Sequence, residues 1–88
     1  MSSNLKDRIQ SEIETLQAAR DELKVQAHLG ALEAREAWEK TEQQWSHLEG
    51  HIKRLAEATQ ESLEDVGTAI NILADEIRNG YEHVRELL

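Results

Sequence analysis

Eighty-eight residues carrying a net charge of −8 make at most one small domain. A chain that short buries only part of its surface, so its stability has to come from long helical seams, from a partner, or from both. Proline, phenylalanine and cysteine are absent, while Ala, Leu, Glu, Gln, Lys and Arg dominate, which favours helices over sheets and predicts an all-α protein. Without cysteine there is neither a disulfide nor thiol chemistry. The first residues hold no apolar signal core and no stretch resembles a spanning segment, so the expected location is cytoplasmic. Residues 1–59 carry eleven acids against eight bases, and residues 60–88 carry seven acids against two bases. Such a balance repels phosphate backbones and anionic lipid, so neither nucleic acid nor membrane is expected as a partner.

In chain order, the first signal is a stripe of Leu5, Ile9, Ile13, Leu16, Ala19, Leu23 and Ala27, stepping by three and four along one helical face. Asn4 stands where an N-cap belongs, and Asp7 follows in the first turn. The stretch HLGALEAREAW, His28 to Trp38, then places Gly30 between leucines and alanines. From Trp38 the pattern sharpens into heptads, with Trp38, Trp45 and Ile52 in one row and Thr41, Leu48 and Leu55 in the other. Gly50 lies inside this run without interrupting it. The register slips around ATQESLED, where Thr59 and Ser62 can accept bonds from free amides and Ser62 with Asp65 has the form of a capping box. A tight turn is therefore predicted near 58–62. A last helix over about 62–87 carries Leu63, Ile70, Ile77 and Val84, alternating with Val66, Leu73, Gly80 and Leu87.

Gly30 decides the architecture. If it ends a helix, three segments of about 5–28, 32–57 and 62–87 close as a monomeric three-helix bundle. A helix end, however, leaves up to four backbone groups unsatisfied, and the leucines around Gly30 offer no side-chain cap. That argument favours one helix over about 5–57, about 80 Å long, paired with the shorter antiparallel helix in a coiled-coil hairpin. The single domain 1–88 then divides into an overhang, 5–31, and the hairpin proper, 32–87. The overhang's apolar stripe is too long to leave in water, which predicts an antiparallel homodimer assembled as a helical bundle. Its interface would contain Leu5, Ile9, Ile13, Leu16, Leu23, Ala27, Gly30, Ala31 and Ala34, with Gly30 as a close-approach residue beside the two-fold axis. Val25, Leu29 and Leu32 add a second stripe in this segment. The dimer is the domain-swapped counterpart of the three-helix monomer.

A turn centred between residues 59 and 60 pairs positions whose numbers add to about 119. Trp45 then faces Leu73–Ala74, Trp38 faces Gly80–Tyr81, and Lys40 faces Asn79. Gly80 would clear space for the Trp38 indole, and Tyr81 would flank it with its hydroxyl reaching water. The predicted hairpin core is Trp38, Trp45, Leu48, Ile52, Leu55, Leu63, Val66, Ile70, Leu73, Ile77, Tyr81 and Val84.

Chemical constellations are sparse. His47 and His51 in HLEGH lie one helical turn apart, a spacing at which two imidazoles can chelate zinc or copper. The glutamate is Glu49 rather than the residue after the first histidine, so the H-E-x-x-H general base is missing and solvated surface histidines are the simpler reading. His28 and His83 are isolated. Neighbouring carboxylates such as Glu33 with Glu36, or Glu61 with Glu64 and Asp65, have no histidine in register to form a carboxylate-bridged metal site. Glu36 with Lys40 and Glu49 with Lys53 are expected as i, i+4 surface pairs. No catalytic residue, cofactor site or enzymatic activity is predicted.

The segments DELKVQAHLGALEAREAWEK, WSHLEGHIKRL and LADEIRNGYEHVRELL resemble small acidic coiled-coil proteins of bacteria, helical hairpins to which no activity is assigned. The resemblance covers most of the chain. It implies a helical hairpin and no activity. Two function classes are expected: a non-enzymatic structural and protein-interaction coiled coil working as a homodimer, with an unidentified protein as a further partner, or a metal-binding helical module using His47 and His51.

Overall fold

The computed structural model describes residues 3–88. They form three α-helices, α1 (Ser3–Leu29), α2 (Leu32–Glu57) and α3 (Gln60–Leu87), and no strand is present among the described residues. Two-residue connections force each helix to run antiparallel to the one before it. The bundle measures 45 × 18 × 16 Å, about the length of one 27-residue helix at 1.5 Å per residue. No described helix is long and apolar enough to cross a membrane.

The single helix expected over 5–57 is not formed. The chain bends at Gly30–Ala31, so the hairpin has a third helix folded against it, as in the alternative reading. The missing side-chain cap does not prevent the bend, because the corner is wet. Leu29 is 83% exposed and Ala31 is also exposed, so water satisfies the free backbone groups that no side chain caps. Folding back gives the stripe of α1 a cover in its own chain. Ile9, Leu16, Leu23 and Ala27 are buried with Trp38, Trp45, Leu48, Ile70, Ile77 and Val84 in one core, and Leu5 and Ile13 pack half-buried at its edge. Relative to an uncovered overhang, the hydrophobic gain of closing that seam exceeds the few backbone hydrogen bonds lost at the bend.

The heptads of α2 are placed as the spacing predicts, with Ala34, Thr41, Leu48 and Leu55 in one buried row and Trp38 and Trp45 in the other, extended by half-buried Ile52. In α3 the second row is shifted by one residue. Gly67, Ala74 and Tyr81 are buried, whereas Val66 and Leu73 lie half-buried on the flank. A third helix needs close approach, and small residues provide it. A Cβ on Gly67 would come within 3.2 Å of Ile9 Cδ1, so α1 rests where α3 has no side chain.

Both predicted caps move. Asn4 lies inside α1 rather than at its N-cap. At the second corner Thr59 is the N-cap of α3 and Ser62 its N3 partner: Ser62 N donates to Thr59 Oγ1 at 3.4 Å, and Thr59 N donates to Ser62 Oγ at 3.0 Å. The pair Ser62–Asp65 is not the capping box, because the helix starts at Gln60 and a serine hydroxyl does the work usually given to glutamate.

The hairpin register agrees with the predicted pairing. Trp38 stacks on Tyr81 with ring centroids 5.9 Å apart and planes inclined by 18°, while Lys40 and Asn79 line one groove between α2 and α3. Two details differ. The space at Gly80 is taken by Thr41, whose Oγ1 would lie 2.4 Å from a Cβ there. The Tyr81 ring turns inward, so its hydroxyl does not reach water. The i, i+4 pairs Glu36–Lys40 and Glu49–Lys53 are not among the ion pairs of the described residues. The interhelical pairs are instead Arg20–Glu42, between α1 and α2, and Arg78–Glu12, between α3 and α1.

Candidate interaction surface

The core is closed along most of its length; Ile72 stands alone in water on α3, and the other large apolar side chains left in water among the described residues gather at one end. Val25 is 62% exposed, Leu29 83%, Leu32 63% and Leu88 50%. Val25 and Leu29 are one turn apart at the end of α1, Leu32 opens α2, and Leu88 caps α3. Leu88 also reaches the corner itself, since its Cδ2 would lie 3.0 Å from a Cβ on Gly30. Gly30 is thus a close-approach residue within the chain. Its backbone dihedral is not positive, so steric room rather than left-handed geometry explains the glycine. An apolar cluster of this kind at the end of an otherwise polar surface is the usual mark of a protein contact.

The residues expected at a dimer interface are brought together in the single chain. Ile9, Leu16, Leu23, Ala27 and Ala34 are buried, Leu5, Ile13 and Gly30 are half-buried, and Ala31 alone is exposed.

Midway along the bundle a polar node ties α1 to α2. The Arg20 guanidinium donates to both carboxylate oxygens of Glu42, from Nε at 2.7 Å and Nη2 at 2.8 Å, and lies 5.3 Å from the centre of the Trp45 ring. The hydrogen bonds to Glu42 hold the guanidinium pKa above its ordinary value, against the opposing effect of burial. Below this node sits Tyr81, 2% exposed, whose hydroxyl has no partner among the described residues. Burial first, then the negative charge of Glu42, pushes its phenol well above the ordinary range, with Arg20 acting the other way. It stays protonated at any physiological pH. No periodicity argument locates the Arg20 contact, because it joins residues 22 apart on different helices.

His47 is exposed and lines the groove between α2 and α3 with Gln44, Glu76 and His83. His51, half-buried, lies one turn on. Among the described residues no group of three or more histidine, aspartate or glutamate side chains comes together to hold a metal ion. Within one chain His47 and His51 stand as a pair of candidate ligands, and a zinc site of three or four ligands would take the rest from a neighbouring chain.

No family model, curated protein or solved structure matches this chain.

Proposed function

We propose that this chain is a non-enzymatic structural and protein-interaction bundle that works as an antiparallel homodimer. One observation carries the reading: four of the five large apolar side chains left in water, Val25, Leu29, Leu32 and Leu88, gather at the α1–α2 corner, and the fifth, Ile72, stands apart on α3. A two-fold contact at that end covers the cluster on both copies with one self-complementary patch. The acidic surface supports a protein partner over nucleic acid or lipid, and the sparse polar chemistry of the grooves supports a binding role over a catalytic one.

Sedimentation equilibrium at micromolar concentration tests this. The expected result is a species of about twice the 10.1 kDa chain mass, shifted towards monomer by Leu29→Lys or Leu32→Glu, since both side chains are exposed in the single chain and their loss leaves the core intact. A monodisperse 10.1 kDa particle over that range overturns the proposal.

A further inference from the structure

The two corners of the bundle are built differently. At Ala58–Thr59 the bend is locked by reciprocal bonds between Thr59 and Ser62. At Gly30–Ala31 nothing comparable exists. Ala31 stands at the N-cap position of α2 and makes no side-chain bond. The backbone bonds there are Gly30 N to Ala27 O at 3.2 Å and Arg35 N to Ala31 O at 3.1 Å. The segment VQAHLGALEARE, Val25 to Glu36, contains no proline and none of the Ser, Thr, Asn or Asp residues that stabilise a turn.

Phase is preserved across the bend as well. Ala27, Ala34 and Thr41 keep a spacing of seven through it and are all buried, and Val25, Leu29 and Leu32 keep the four-three step of one helical face. Only glycine fits the bend without crowding: a Cβ at position 30 would sit 3.2 Å from Ala34 Cβ, whereas a straight helix separates side chains four apart by about 5–6 Å and would accept it. Short, uncapped hinges between helices in phase favour exchange of an element between copies.

From this we infer that the Gly30–Ala31 corner is a hinge that straightens, and that α1 is exchanged with a second copy of this chain. This exchange rests on the homodimer reading, the second copy supplying the α1 that fills the vacated surface. The surface that α1 vacates on α2 and α3 has Gly67 under Ile9 and Glu42 opposite Arg20, and the α1 of another copy reproduces both contacts. Every intrachain contact of α1 is then remade between chains. The straightened helices cross near residue 31, where Ala27, Gly30, Ala31 and Ala34 allow close approach. Val25, Leu29 and Leu32 lie on the opposite face of the straightened helix, outside that crossing.

The test is an electron–electron distance measurement on Gln17→Cys/Ser46→Cys protein, spin-labelled and diluted into excess unlabelled wild-type chain. Both positions are exposed and the chain has no other cysteine. In the closed chain the labels sit on neighbouring antiparallel helices, whose axes are about 8–10 Å apart. In the exchanged form they lie on one straight helix, 29 residues apart, or about 44 Å along its axis. The expected result is a 44 Å population that grows with total protein concentration.

Two hinge variants give opposite signs. Gly30→Ala should tighten the dimer by about fivefold for each chain, from helix propensity alone, and four residues, Gly-Ser-Gly-Ser, inserted between Gly30 and Ala31 should weaken it by about thirtyfold for each chain, from the two added glycines in the straight helix. A dimer by sedimentation that shows only the short distance overturns the exchange and leaves the homodimer reading standing. A monomer at all concentrations overturns both.

Discussion

Replacing Tyr81 by phenylalanine removes one oxygen atom and nothing else the core uses. The ring is 2% exposed and stacked 5.9 Å from Trp38, so its apolar area and aromatic contact survive the change. The hydroxyl has no hydrogen-bond partner among the described residues, and leaving a buried polar group unpaired costs about 1–3 kcal/mol. Taking the low end, Tyr81→Phe should stabilise the fold by about 1 kcal/mol, raising the melting temperature by roughly 4–8 °C in a domain of this size.

Alkali adds a second, independent readout. The phenol is held above its ordinary value of 10 in the folded chain, so above that pH the unfolded chain releases a proton that the folded chain keeps. Wild-type stability therefore falls as pH rises past 10, by about 1.4 kcal/mol per pH unit, until the folded phenol itself ionises. Tyr81→Phe removes that contribution to the slope. Because Tyr81 is the one tyrosine in the sequence, tyrosinate absorbance reports on it alone. Urea unfolding followed by circular dichroism, at neutral pH and at about pH 11, completes the measurement. A variant that is less stable than wild type, or a tyrosinate transition near 10 in folded protein, refutes the burial of an unpaired hydroxyl.

Three further substitutions probe the fold. Gly80→Ala should destabilise by about 1–3 kcal/mol through overpacking, because the new Cβ meets the buried Thr41 hydroxyl at 2.4 Å; in urea denaturation the double variant with Thr41→Ala should recover the loss. Gly50→Ala meets nothing within 4 Å and should add about 1 kcal/mol from helix propensity, seen as a higher melting temperature. Thr59→Ala removes the reciprocal cap at the α2–α3 corner and should cost about 1 kcal/mol, measured the same way.

Which parts of this structure could be read in the sequence follows from the range of the interaction concerned. The heptads of α2 and the level at which Trp38 meets Tyr81 were legible because they depend on spacing and on one turn. The shifted row of α3 was not, since a search for large apolar residues selects Val66 and Leu73 and passes over Gly67 and Ala74, whose value lies in the side chain they lack. The corner at Gly30 was misjudged for a different reason. An uncapped bend is penalised when buried and tolerated when wet, and exposure is a property of the assembled bundle. The Arg20–Glu42–Trp45 node and the inward turn of Tyr81 belong to the same class: both require α1 to lie against α2, which local pattern does not reveal. The apolar corner was in part legible, for Val25, Leu29 and Leu32 form a second stripe of the kind expected where a helix is touched on more than one side.

The contrast between the locked corner and the unlocked one bears on the order of events during synthesis. The hairpin of α2 and α3 has a short capped turn and close heptad packing, the low contact order that lets a helical pair form early once both strands of it exist. The helix made first is the one that depends on the other two. Until α3 has left the ribosome, the stripe from Ile9 to Ala27 has no finished surface to dock on, and nascent chains on the same message hold such stripes side by side. Under the exchange proposed above, a hairpin completed late would meet a neighbour's α1 as well as its own, and slower release of α3 would raise the exchanged fraction.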